Sequence, residues 1–548
     1  MTALAHIRAG AWRAPAIAVA AIALALSLAV DPRGDFPLND DWAYAHSVAW
    51  LATEHRIRLS DWIAMNLLPQ TLLGGLATSI GGLTFTTLRH LTQIVAAAVA
   101  ALALEFFRAA GLGRSDAVTA TLTLIAMPCW LPLADSYMTD LYGMLFALPA
   151  AALFVRALRE PRPAWVAAGT LLAVAGVLQR QVVLAVPAAF CVAWLAARPR
   201  RTPALALAGV LPLLATAGAA LAYHAYLANG PGVPAAQQWL QGRVVEAVGK
   251  VFTDEQYRVW VASNMLSLLA YLGLFAAPFA LWRGLPAGRG ALVAIAALAA
   301  LALATMVATG SWPPWREDQL LDRAGIGPFT LYDAQPRGLA PLDRSPSALW
   351  YGAGIVAAFG IAVLCRTAQA VLRAIAARSA DDGERLFLFA LIGAYLAPFV
   401  LTDYFDRYLL FVLPFVLALV ALAEPAVTTR ASRIVGIVVL GATAGYGVSA
   451  THDYFAWNRA RWDAIHAAER MGATPETLDG GFEYNGYHRA DAKPDAPPPG
   501  RSWWWVKDDR FVVAFGPVRG YDERARFPVE RWLPRTPEHV LLLERRAQ

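Results

Sequence analysis

Lysine is nearly missing from this 548-residue chain: of 46 basic residues only Lys250, Lys493 and Lys507 are lysine, and the rest are arginine. Charge of either sign is scarce, at 16% of residues against 58% hydrophobic. A soluble surface needs about a quarter of its residues charged, so much of this one does not face water. The net charge of +6 comes from arginines in the connections between apolar runs. No basic cluster is interleaved with aromatics, so nucleic acid is not an expected partner. Cysteine is limited to Cys129, Cys191 and Cys365, none in a Cys-x-x-Cys pair. That argues against a disulfide framework or a thiolate metal site and leaves small buried apolar side chains. A Walker loop, a GxGxxG–helix pattern and an HExxH are also missing, so no nucleotide site and no zincin chemistry is inferred.

What the chain has in abundance is apolar runs of about 20 residues, each long enough to span a hydrocarbon core. They fall at 14–30, 84–107, 115–134, 141–158, 164–179, 181–197, 203–227, 261–282, 290–309, 348–372, 386–402, 407–424 and 433–450. The expected fold is an α-helical polytopic membrane protein with about thirteen transmembrane helices and outward amphipathic loop helices. The first run follows Arg8 and Arg13 like a signal peptide, but VDPRGD ends it without a small-x-small cleavage site, so it reads as a retained helix. Every second connection carries arginine, among them Arg108, Arg114, Arg156, Arg159, Arg283, Arg289, Arg373 and Arg430. By the positive-inside bias these connections and the N-terminus are cytoplasmic. The loops 31–83, 228–260 and 310–347 then face outward, as does the tail. The chain divides into a membrane part, 1–450, and an extracytoplasmic part, 451–548. The tail is Pro/Gly-rich and contains FVVAF and HVLLLE, which suit a small α/β or mostly β domain. Trp503, Trp504 and Trp505 read as part of its core, with sugar stacking or docking at the lipid interface as alternatives. Runs 164–179 and 181–197 meet at Gln179-Arg180-Gln181, a tight outward hairpin. No internal repeat supports transporter-like symmetry.

The outward junctions are acidic. FPLNDDWAYAHSV places Asp40 and Asp41 at the start of a helix running to about His55, with Tyr44 one turn on. Helix capping is one reading of that pair. LADSYMTDLYG adds Asp135 and Asp140, either a solvated turn or costly carboxylates at membrane depth. LTDYFDRYLLFVLP adds Asp403, Asp406 and Arg407. Three acidic junctions on one side, with none comparable on the other, point to a site. A carboxylate can take the proton of an attacking hydroxyl, and arginine meets a leaving phosphate with paired hydrogen bonds. Arg407, at the head of an apolar helix, is costly to bury unless it meets an anion (Asp403, Asp140 or a donor phosphate) or snorkels to water as an exposed side chain. A divalent metal held by Asp40, Asp41 and His46 is a weaker alternative that the pattern does not require.

The Asp-Asp-x-x-Tyr motif after the first helix (Asp40, Asp41, Tyr44), Thr139-Asp140 and DRYLLFVLP together resemble C-type glycosyltransferases, the polyprenyl-phosphate-sugar-dependent membrane enzymes. They are most similar to relatives of protein O-mannosyltransferases and aminoarabinose transferases, and GGFEYNGY also resembles bacterial members. The resemblance implies a polyprenyl-phosphate sugar donor, inversion at the anomeric carbon, and a lipid, glycan or protein acceptor among membrane lipids. It implies a bacterial inner membrane with a periplasmic active site. It makes Asp40 the base and Asp41 and Asp140 supporting acids. One departure matters. The aminoarabinose-transferase relatives carry a lysine feature in the first loop, where this chain reads SDWIAMNLLPQTLLGG, with Pro69 and no lysine. The phosphate cation must therefore come from elsewhere, such as Arg56, Arg58, Arg180 or Arg407, and Tyr44 and Asp406 are further candidates for binding the donor phosphate or substrate. A flippase or transporter of a lipid-linked glycan, and a glycan polymerase or ligase, are the competing functions.

Overall fold

The computed structural model describes residues 2–197, 202–286, 288–317, 319–331, 337–377, 383–423, 425–489, 506 and 508–547. The tryptophan triplet 503–505 lies outside the described residues. Ten helices among those described are long and apolar enough to cross a membrane. They match ten of the thirteen expected runs, from Trp12–Ala29 for the first to Arg430–Arg470 for the last. Pro163–Gln179 and the apolar stretch Gln181–Ala197 are shorter. The remaining run, 115–134, is not one span. Its helix stops at Ile125, and a separate turn of helix covers Trp130–Ala134. Pro128 explains the break: it donates no N–H and disfavours helical backbone in the residue before it. Every residue from 123 to 144 is buried, so this irregular backbone lies inside protein, the one place where lipid tolerates it.

Local chemistry explains several boundaries. Thr84 caps the second long helix by accepting the Thr87 N–H at 3.0 Å. Thr429 and Ser432 form a reciprocal capping box at the start of Arg430–Arg470. The long helices Glu255–Arg283 and Ala348–Ala376 cross at glycine. A Cβ on Gly360 would stand 2.1 Å from the Gly273 carbonyl oxygen, so only a glycine pair lets the backbones meet. Two loop helices are amphipathic. Leu68–Gly81 exposes Leu72, Leu76 and Ile80 at helical spacing, and Ala235–Thr253 exposes Trp239, Val245 and Phe252.

Contacts between the connections gather in two places. At one, Arg108 and Arg156 share Glu105, Arg159 pairs with Glu384 and donates to the Ala109 carbonyl, and Arg283 meets Asp116 at 3.3 Å. At the other, the loop from residue 31 meets Arg407, the loop from residue 310 meets Asp403, and the tail meets both loops. Cys129 and Cys191 are buried as expected, whereas Cys365 is exposed on the flank of its apolar helix.

The tail builds a four-stranded sheet from β1 (Leu478–Asp479), β2 (Phe511–Ala514), β3 (Tyr521–Pro528) and β4 (His539–Arg545), in the order β1-β2-β4-β3. β1 and β2 are parallel and the other pairs antiparallel, with Val512 opposite Leu543 and Phe527 opposite Val540. FVVAF and HVLLLE are thus the two central strands. β3 is an edge, and its exposed Asp522, Glu523 and Arg524 discourage further strand addition. The helix Arg430–Arg470 runs unbroken through residue 450 into this region. Phe329 from the loop 310–347, Trp457 from that helix and Phe515 beside β2 pack as a ring cluster 5.2–6.1 Å apart. The tail therefore shares one core with the loops of the membrane part.

Candidate active site

Asn39, in the left-handed conformation at φ 53, turns the chain into the helix Asp41–Glu54, which ends at a left-handed His55. Asp40 stands at the N-cap but makes no capping bond. Its Oδ1 accepts the Trp62 Nε1–H at 2.9 Å, and its Oδ2 accepts Arg407 Nη2–H at 3.1 Å. Asp41 takes the backbone role instead. It accepts the Leu38 N–H at 2.7 Å and the Tyr137 N–H at 3.3 Å, joining the first loop to the broken segment. Burial pushes the Asp41 carboxyl up to about 8, against the pull of those N–H groups and Arg89. Of the two neighbours, one is aimed at side chains and the other is spent on backbone.

Arg407 is the second residue of the helical stretch Asp406–Ala423, packed between Phe405 and Tyr408, its guanidinium carbon 4.9 and 5.6 Å from their ring centroids. Its partner is Asp40, neither Asp403 nor Asp140, and its buried Nε–H has no hydrogen-bond partner among the described residues. Asp140 is bound by Arg180 at 2.5 Å, both essentially without exposure. The Gln179-Arg180-Gln181 corner explains how Arg180 gets there. Gln179 clamps Gln70 and accepts its N–H at 3.0 Å, and Gln181 donates to Ala64 and Asn66, so the glutamines hold the first loop while the arginine turns inward. Tyr408 is shared: Arg180 lies 5.5 Å from the same ring that faces Arg407. Tyr44 completes the group. Its hydroxyl is pushed well above its ordinary value, first by burial and then by the Asp40 charge, with Arg407 opposing. Asp40, Tyr44, Asp140, Arg180 and Arg407 thus form one cluster. Within it Asp40 is the acid with access, at 16% side-chain exposure against 2% for Asp140.

Other expected residues stand apart. Asp406 is fully buried and accepts the Leu320, Leu321 and Arg407 N–H groups at 2.7–3.0 Å, pinning the loop 310–347 to the head of Arg407's helix. Asp403 pairs with Arg316 at 2.7 Å. Asp135 accepts from Gln93 at 2.7 Å, and burial pushes it up to about 7. Arg58 is exposed, its guanidinium on Trp50, in a cleft of about 530 Å³ with His55, Arg56 and Tyr226. Trp50 is ten residues beyond Asp40, so roughly 15 Å along the helix axis separates Arg58's site from the cluster. His46 packs among Trp42, Trp50 and Tyr487. Among the described residues no three His, Cys, Asp or Glu side chains are placed to hold a metal. Reading the sequence missed Trp62 and Tyr408 as members of the site, because a tryptophan 22 positions from its acceptor carries no local pattern.

The chain matches no protein-family profile and no curated protein. Three solved structures are similar in overall course. The archaeal oligosaccharyltransferase AglB from Archaeoglobus fulgidus, in complex with an inhibitory peptide and a dolichol-phosphate, is 12% identical over 90% of this chain, with a TM-score of 0.40. The apo form of the Archaeoglobus fulgidus oligosaccharyltransferase gives 12% identity, 90% coverage and a TM-score of 0.42. ArnT from Cupriavidus metallidurans is 15% identical, with 98% of each chain covered and a TM-score of 0.40. The chain spans about 60% of the length of the archaeal structures.

Proposed function

We propose that this chain is a membrane glycosyltransferase that moves a sugar from a polyprenyl-phosphate donor to an acceptor hydroxyl at the acidic end of the bundle, the periplasmic side of a bacterial inner membrane. The observation that carries the reading is Asp40, a helix-start carboxylate that leaves its own helix uncapped and turns to Trp62 and Arg407. In the reaction, a hydroxyl oxygen of the acceptor attacks the anomeric carbon while Asp40 takes its proton. The bond from that carbon to the phosphate oxygen breaks, and the phosphate leaves with the electron pair. Arg407 receives it: a guanidinium with an unused, buried Nε–H can give a phosphate two parallel hydrogen bonds. As Arg407 turns to the phosphate, Asp40 is released from its ion pair to accept the proton. Arg180 and Asp140 are locked together beside Tyr408, and Tyr44 stands within electrostatic reach of both ion pairs. Attack opposite the leaving group inverts the anomeric centre.

The test is transfer of radiolabelled sugar from a panel of polyprenyl-phosphate sugars. Asp40→Asn keeps size and removes the proton acceptor, and a loss of roughly a hundredfold or more is expected. Retained transfer would sink the base assignment. Arg407→Lys keeps charge but loses the planar fork, so donor use should weaken while the melting temperature stays nearly unchanged. A folded Arg407→Ala protein with unaltered apparent donor affinity would overturn the phosphate role.

A further inference from the structure

The tail sets a buried acid against the turn that carries Asp40. Its helix Phe482–Arg489 lies on the helix Asp41–Glu54: a Cβ on Gly486 would stand 2.6 Å from the Trp42 ring, and Tyr487 lies 5.1 Å from His46. Phe482 packs 5.7 Å from Trp62, the residue that donates to Asp40. In the first turn of this helix Glu483 has no exposure at all. Its Oε1 accepts the backbone N–H of Asn39 at 3.2 Å. Its Oε2 accepts Thr330 Oγ1–H at 2.7 Å and Arg461 Nη1–H at 2.5 Å. Arg461 is equally buried and also donates Nε–H to the Gly480 carbonyl at 2.8 Å.

Stability alone does not account for this arrangement. A buried ion pair is as a rule no more stabilising than apolar side chains of the same volume. Asn39 sits at φ 53, a left-handed turn conformation that asparagine adopts more readily than most L-residues, and Glu483 holds its N–H in that turn. Fixing the Asn39 N–H fixes the peptide before it, and with it the direction in which Asp40 leaves the turn toward Trp62 and Arg407. The first loop, the loop 310–347 and the tail meet on this one carboxylate.

We propose that Glu483 is a positioning residue for Asp40, so that the tail sets the geometry of the site 444 residues away in sequence. The inference rests on the reading of Asp40 as the base. A displacement of about 1 Å in a reacting group costs up to about a hundredfold in rate, so a loosened turn should cost about tenfold or more.

The experiment uses the full chain in nanodiscs with the polyprenyl-phosphate sugar found active. In the unmodified protein the Asn39 amide should resist hydrogen exchange; free exchange there overturns the proposal with no variant needed. The paired variant Arg461→Met/Glu483→Leu removes both charges together, so no buried ion is stranded. It should speed exchange at Asn39 at least tenfold and lower kcat about tenfold, with the donor KM within twofold. Wild-type kcat in this folded variant overturns the inference. If it does not fold, Thr330→Val withdraws one donor from Glu483 and should lower kcat several-fold with unchanged KM; unchanged kcat there is equally fatal. Finally, a residue acting through Asp40 adds no loss in the Asp40→Asn background, whereas a merely structural one multiplies it. Unimpaired transfer by Asp40→Asn itself would instead point to failure of the base assignment.

Discussion

At the residue scale, adjacent acids have divergent fates because a helix start offers two directions. Asp41 points back at backbone N–H groups, and Asp40 points across to a cation. The capping reading of the DD pair fails, since neither acid accepts a first-turn N–H of its own helix, and where each one turned depended on Tyr137, Trp62 and Arg407, none near in sequence. The difference has a consequence for pH. Burial raises Asp41 to about 8 and Asp135 to about 7, above the unfolded value near 3.9. For an acid raised on folding, the folded state binds the proton more tightly, so the stabilisation is complete below about pH 4 and is lost as pH rises through 7 to 8. The melting temperature in detergent should therefore fall between pH 5 and 8.5. Asp41→Asn, which cannot titrate and still accepts the Leu38 N–H, should fall less steeply. Equal slopes for the two proteins would contradict the assignment.

At the element scale, most helices were legible because apolar length is a local property. The runs 84–107 and 141–158 reappear as Phe85–Ala109 and Asp140–Arg159. The exception, 115–134, shows the limit of hydropathy: Pro128 interrupts hydrogen bonding without lowering apolarity, and only the surrounding helices make the break tolerable. Crossings were not legible either. Gly273 and Gly360 are two among 41 glycines, and their meeting is a tertiary fact. Gly360→Val should destabilise the protein by about 1–3 kcal/mol or more, since backbone on the facing helix cannot move aside. Gly352→Ala on the same helix, with nothing within 4 Å of its added Cβ, should be close to neutral. Thermal unfolding of both variants checks the contrast, and equal melting temperatures would remove the crossing.

At the scale of the whole molecule, sidedness is the decisive property. Reporters fused after residue 110, 200 or 375 should be cytoplasmic, and after 230 or 330 outside, because the positive-inside bias keeps arginine-marked connections in the cytoplasm. An outward signal at 375 would separate Asp406 and Arg407 from the first loop. By itself the sequence determined the membrane class, ten of the long apolar helices, the two central strands of the tail and the acidic character of its loops. Each of these is carried by hydropathy, period or charge within a short window, where a residue's neighbours along the chain set its free energy. Tertiary structure alone decided that Arg407 pairs with Asp40, that Arg180 takes Asp140, and that Glu483 reaches Asn39. A buried charge is stable only beside its counter-charge or a donor, and in a folded bundle that partner is set by which helix ends meet, not by distance along the chain.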